Sequence, residues 1–411
     1  MTTNIVEVMT PARKASALLL ILATITVASC GGSGGGSGYM TSAPTPMPTP
    51  APAPPTDTGY SFKSLVSDHT GTSAVTIDSH MKNPWGIVFG GTQPVWVANN
   101  ATQTSTLYDG NGQIQSLVLN LPSSQTNGEF DATGIVFNGN GTEFMVSAGG
   151  KSGNASFIYA GEGGMIAGWS VDVDANNAIL VYTDTSSSAA VYKGLALANN
   201  GAGDFLYAAD FHNNKVDVFN ANFLKQQPAA FPFTDPQLPA GYAPFNLQAI
   251  QNGSGGAWQL YVAYAEQAAP DNHDNVNGAG LGLIDIYDAK GNFVKRLVSP
   301  GTHLNAPWGL ALAPKDFGAL SNLLLVGNFG DGQINAFDPS TGAFQAALSD
   351  GTGAAFTVGG LWGIAFGNDG ANQPHNTLFY AAGTNDEKNG DYGRIDVNAS
   401  GSTPPPQPPG Y

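Results

Sequence analysis

The chain is short of cysteine, of basic residues and of charge altogether. Its 411 residues include a single Cys and 14 Lys+Arg against 30 Asp+Glu, and only 11% are charged. One Cys excludes an intrachain disulfide. A formal net charge of −16 argues against nucleic acid as a partner, because displacing counterions from a phosphate backbone needs a basic surface. Anionic membrane surfaces are disfavoured for the same reason. There is no HExxH pair and no phosphate-binding loop, so the common metalloprotease and nucleotide chemistries lack support. What the chain has in quantity is glycine, 54 residues, and such a composition suits a turn-rich extracellular β protein better than a helical enzyme.

Arg13 and Lys14 precede a mostly apolar run from Ala15 to Val27. That is the length of a signal-peptide core and too short to span a bilayer. Glu7 is an acid in a region that should be basic, which points to Met9 as an alternative start. The junction Val27-Ala28-Ser29-Cys30-Gly31 resembles the lipobox of bacterial lipoproteins. The resemblance implies that residues 1–29 are removed and that Cys30 carries a lipid. Gly31 in place of Asp after that Cys implies an outer-membrane destination in a Gram-negative cell. Residues 30–60 then read as a tether, Gly/Ser-rich and afterwards Pro-rich, that cannot bury a core. Residues 399–411 read as a Pro-rich tail.

Between them, residues 61–398 carry one pattern six times: an opening motif, two apolar strands joined by a turn, a polar loop, and an alternating strand. The opening motifs are Asn83-Pro84-Trp85-Gly86, Ala132-Thr133-Gly134, Tyr192-Lys193-Gly194, Pro244-Phe245-Asn246, Pro307-Trp308-Gly309 and Leu361-Trp362-Gly363. The strands after the loops alternate as half-buried strands do, for instance Lys215 to Phe219 and Leu283 to Tyr287. Asp109 to Gly112, Asp288 to Gly291 and Asp338 to Gly342 suit tight hairpins. Four short antiparallel strands at about 56 residues per unit predict an all-β, six-bladed β-propeller. The last unit stops after its third strand, and Ser61 to Val66 is expected to supply the fourth, closing the ring.

The stretch Tyr207-Ala-Ala-Asp210-Phe-His212-Asn-Asn-Lys215-Val-Asp217-Val-Phe219 resembles the NHL repeat. The whole of residues 60–398 resembles a family of secreted bacterial β-propeller proteins without an agreed activity, some of which carry an exosortase sorting signal. The Pro-rich ending of this chain departs from those members.

In such a ring, the loop entering each innermost strand and the loop between second and third strands share one face. Five of the six His fall there: His69, His80, His212, His273 and His303, beside Asp271, Asp274, Asp331, Asp386 and Asp391. The candidate ligand-binding residues are Asn83, Asn99, Asp210, His212, Glu266, Asn305 and Asn328. Among them Asn99, Asp210, Glu266 and Asn328, at the exits of second strands, offer the oxygen ligands that suit Ca²⁺. Regucalcin-like gluconolactonases are similar in fold and residue type. The competing reading is that such groups cap strand ends and bind water. The expected function is a monomeric, lipid-anchored envelope propeller that binds a protein, polymer or small ligand at its polar face. A metal-dependent hydrolase or lactonase is the alternative.

Overall fold

The computed structural model describes residues 59–251, 253 and 255–398. The expected leader, Cys30 and tail lie outside the described residues, as does the tether up to residue 58. Six antiparallel sheets follow one another along the chain. Their innermost strands are Pro84–Val88, Ala132–Phe137, Tyr192–Asn199, Tyr242–Gln251, Pro307–Leu312 and Leu361–Phe366. Each begins within or beside one of the six opening motifs. The ring closes as expected: Tyr60–Ser67 pairs antiparallel with Asp391–Val397, with Phe62 opposite Ile395 and Ser67 opposite Asp391. The protein is a six-bladed β-propeller.

Alternate side chains of each strand point into the two flanking seams between blades. Each seam therefore has its own apolar core. Trp96, Phe157 and Trp169 fill the seam between blades one and two. Tyr60, Leu325 and Ile364 help fill that between five and six. The inner strands converge so tightly that a Cβ on Gly194 would lie 2.2 Å from Asn246 Oδ1, and one on Gly363 would lie 2.5 Å from the Trp85 carbonyl. Glycine stands there because no side chain fits. Blade four has Asn246 in that place, and its Nδ2 donates to the Trp308 carbonyl at 2.8 Å, bridging to blade five.

Three blades depart from the four-strand expectation. Blade six gains a short fifth strand, Thr76–Ile77, parallel to Tyr60–Ser67. Blade two carries an additional hairpin, Met145–Ala148 with Lys151–Asn154. Blade three has only Tyr192–Asn199, Asp204–Asp210 and Lys215–Asn220. Its outer strand is missing because the following segment holds Pro228, Pro232, Pro236 and Pro239, and proline cannot donate to a ladder. Phe231 and Phe233 of that segment instead pack against Tyr207, with ring centroids 6.4 and 5.8 Å away.

Candidate functional site

The residue before the close-approach position differs from blade to blade: Trp85, Thr133, Lys193, Phe245, Trp308 and Trp362. Four aromatics therefore meet at the axis beside two polar residues. Trp85 and Trp362 stack at 3.4 Å, Trp308 meets both edge-on, and Phe329 stacks on Trp362 at 4.0 Å. The three tryptophans are packed as core, as their place in the repeat predicts. They plug the axial channel, and Trp85 and Trp362 floor a cleft of about 1290 Å³ on one face. On the far side of the plug, residues of all six inner strands line a small axial cavity of about 40 Å³.

A chain of polar contacts crosses the floor of the cleft. Trp362 Nε1 donates to Asn83 Oδ1 at 3.2 Å, and Asn83 Nδ2 donates to Glu387 Oε2 at 2.8 Å and to Asn100 Oδ1 at 3.4 Å. Asn100 Nδ2 donates to Glu162 Oε2 at 2.9 Å. The Glu162 carboxylate is ion-paired with the Lys193 ammonium, which lies 3.4 Å from Asp274 and 5.3 Å from the Trp85 ring centroid. His273 Nδ1 contacts Asp274 at 2.9 Å. Five blades contribute to this chain. Lys193 is 2% exposed, and a buried ammonium persists only when paired in this way.

Charge is unevenly distributed. The cleft is lined by the carboxylates of Glu162, Asp274, Asp331, Asp386, Glu387 and Asp391 against the ammonium groups of Lys63 and Lys193. Burial, together with the nearby Glu162 charge, pushes the Glu387 carboxyl up despite its bond from Asn83. Burial also raises Asp391 to about 6, although Ser64 and Tyr380 donate to it. The bond from His273 instead holds Asp274 down at about 2, and the same bond raises His273. Three consecutive left-handed residues also lie at the cleft. Asn385, Asp386 and Glu387 have φ of 55, 52 and 62°, and Asn83 has 44°. Such conformations cost about 1–3 kcal/mol each.

Of the seven candidates expected from sequence, Asn83 joins the polar chain under the cleft. None lines the cleft. Asn83 and Asn305 stand behind its lining, Asn305 accepting from the Gly278 N–H at 2.7 Å and donating to Asp331 at 3.4 Å. His212 Nδ1 meets the Asp271 carbonyl. The proposed Ca²⁺ set does not gather. Asn99 donates to Thr104 and Thr106 in its own blade, Asn328 to the His303 carbonyl and Asp331, and Glu266 ends the second strand of blade four. Asp210 joins Asp184 and Asp217 within blade three and its seam with blade two. The physical reason is that the last residue of a second strand still follows the strand's alternation, so its side chain is delivered into the blade and its seams and kept from the mouth. Asn99, Asp210 and Asn328 are fully buried.

His69, His273, Asp274, Asp331, Asp386 and Asp391, placed on this face by the repeat, do line the cleft. Lys193, Glu162 and Glu387 were missed as site residues. Lys193 had a legible signal, a lone charge where four other blades have an aromatic. The metal-ligating atoms that do come together on this face are those of Glu162, His273 and Asp274, all within 4.8 Å of one another.

No family model matches the sequence. Uncharacterized protein R648 of Acanthamoeba polyphaga mimivirus is 34% identical over 350 residues, covering 82% of this chain and 80% of the viral one. Uncharacterized protein L690 of the same virus is 32% identical over 311 residues, covering 74% of this chain and 76% of its own. The chain belongs to the family of these uncharacterised mimivirus proteins. Family membership thus rests on viral proteins, whereas the motifs resembled a secreted bacterial group; the six-bladed propeller is the part of that expectation carried by the fold. Among solved structures, a protein of unknown function from Bacteroides thetaiotaomicron aligns with a TM-score of 0.50 at 11% identity, over 82% of this chain and 76% of that one. A glucose dehydrogenase aligns with a TM-score of 0.47 at 14% identity, over 82% of this chain and 99% of that one. These likenesses concern the fold alone.

Proposed function

We propose that this member of the family is an exported, lipid-anchored propeller that binds a ligand in its axial cleft without transforming it. The observation that carries the reading is the large cleft over a closed aromatic plug, with six carboxylates facing two lysines. A volume of this size accommodates a small molecule or the end of a polymer. The carboxylate excess selects a neutral or cationic partner and repels anions. The lipobox-like segment at Cys30 supports export and anchoring.

Two measurements test this. Thermal melting of the full-length chain against neutral, cationic and anionic small molecules should show stabilisation by one or both of the first two classes. Stabilisation by anions alone would overturn the reading. Incorporation of labelled palmitate in a bacterial host should be abolished by Cys30→Ser, and a wild-type chain that takes up no label would remove the anchor.

A second reading, a metal-dependent hydrolase or lactonase, is favoured by the proximity of Glu162, His273 and Asp274. The Lys193 ammonium, 3.4 Å from Asp274, opposes it, since a divalent cation there would meet a positive charge. Elemental analysis of the purified chain decides between the two. A stoichiometric metal would favour the hydrolase.

A further inference from the structure

The loop between the second and third strands is short in most blades, spanning 100–103 in blade one, 162–164 in blade two, 211–214 in blade three and 329–333 in blade five. In blade four it spans 267–282, and a connection of this length inside a packed domain is usually functional. No residue from Glu266 to Leu281 is buried, so apolar packing does not hold it down. Its first part is held by its own backbone instead. Gln267 bridges Asn275, the Ala268 N–H donates to the Asp274 carbonyl at 2.7 Å, and the Val276 N–H donates to the Glu266 carbonyl at 2.8 Å. Residues 266–276 thus form a small hairpin that prolongs its strand. Gly278 and Gly280, the second at φ 91°, follow it.

The hairpin leans from blade four onto blade three. At its root the Gln267 side chain donates to the Phe211 carbonyl at 2.5 Å. Towards its tip, His212 Nδ1 meets the Asp271 carbonyl at 2.9 Å, the Asp274 carboxylate lies 3.4 Å from the Lys193 ammonium, and His273 lies 4.0 Å from Glu162. His273, Asp274, Asn275 and Asn277 line the cleft. The Asp274 side chain is 75% exposed, and an ion pair with a partner so open to water contributes about 0–1 kcal/mol. The tip is therefore held by polar contacts that separate at little cost, whereas the blades beneath it are held by apolar seams.

We propose that residues 267–277 are a lid on the axial cleft, latched to blade three at His212 and Lys193 and lifting about Gly278 and Gly280. This rests on the reading of the cleft as a ligand site and adds how that site is opened. When the lid lifts, Asp274 leaves with it. The floor loses one carboxylate, and the buried Lys193 ammonium gains access to the contents of the cleft.

The test is acetylation of the native full-length chain by an N-hydroxysuccinimide ester, followed lysine by lysine by peptide mass spectrometry with no ligand added. Lys193 should react far more slowly than the exposed Lys151 and Lys290. His212→Ala removes the latch on the Asp271 carbonyl and keeps the ion pairs of Lys193. It should speed the Lys193 reaction about fivefold and leave Lys151 and Lys290 unchanged. Asp274→Asn should act in the same direction. Acceleration by Asp274→Asn alone would mean that the lost charge made the amine more reactive without any lid movement, and it would overturn the lid, as would a Lys193 rate that neither variant changes. Equal acceleration at Lys215 and Lys225 would place the loosening in the body of blade three and overturn it too. Because no ligand is present, these outcomes leave the reading of the cleft untouched. A melting screen without any stabilising molecule would conversely remove the cleft's ligand and not the lid's movement.

Discussion

Two clusters of acids and lysines lie in neighbouring parts of the ring, and they differ in how completely they are satisfied. In blade three, Lys215 bridges Asp210 at 2.9 Å and Asp217 at 2.6 Å, and Lys225 reaches Asp217 at 2.6 Å. Tyr192 donates to Asp217 and Asn213 to Asp210, while the N–H groups of Ser186 and Ala190 donate to Asp184. All three carboxylates are buried, and each has partners within the protein. The axial cluster around Lys193 contains a comparable set of charges, yet it opens into a cleft and carries surplus carboxylate. A satisfied cluster stiffens a seam; the axial one leaves carboxylate charge facing the open cleft.

The largest expected effect is on the satisfied side. Asp217→Ala would leave Lys215, Lys225 and Tyr192 without their common acceptor, and loss of about 3–5 kcal/mol is expected in urea unfolding. A mild loss of stability would erase the contrast between the clusters.

Next comes pH. Asp391 on the rim of the cleft has its pKa raised by burial to about 6 from 3.8. A raised carboxyl binds its proton more tightly in the folded state. Its contribution is therefore complete below the unfolded pKa and is lost as pH rises through about 6. Asp391→Asn should flatten the stability profile between pH 4 and 7 by up to about 3 kcal/mol, read from urea midpoints at several pH values. An unchanged profile would mean that the charged carboxylate is better solvated than its burial implies.

Removing the axial ammonium sharpens the comparison from the other side. Lys193→Met frees Glu162, His273 and Asp274, and Zn²⁺ at a hundred times its dissociation constant should then stabilise the variant by about 2.7 kcal/mol. The wild type should gain little, because its lysine already supplies the positive charge. Equal Zn²⁺ stabilisation of both proteins would show that Lys193 does not hold that place. The smallest effect is expected from Glu387→Gln, which removes a repulsion with Glu162 and should change stability at pH 7 by no more than about 0.5 kcal/mol. A large loss would make Glu387 part of the scaffold.

Much of the architecture was legible because a propeller is written as a repeat. The opening motifs located all six inner strands, and the missing fourth strand of the last unit pointed to Ser61 to Val66 as the segment that closes the ring. The blade-three exception was legible only in hindsight, from prolines at 228, 232, 236 and 239. The site was read less well. Sorting residues by loop identified the correct face, and it brought His273, Asp274 and Asp391 to the cleft. It then favoured the strand exits Asn99, Asp210 and Asn328, whose side chains the alternation of the strand turns inward. Lys193, in plain view within an opening motif, was passed over as part of the repeat.

By itself the sequence determined the number of blades, their order and the face on which polar groups collect, since these follow from local periodicity and from turns of a few residues. The tertiary structure alone decided which polar groups are paired with one another and which face the open cleft. That depends on contacts between residues far apart in the chain, such as Asn83 with Glu387 and Lys193 with Asp274. No local pattern encodes such pairs; the circular closure of six blades around one axis creates them.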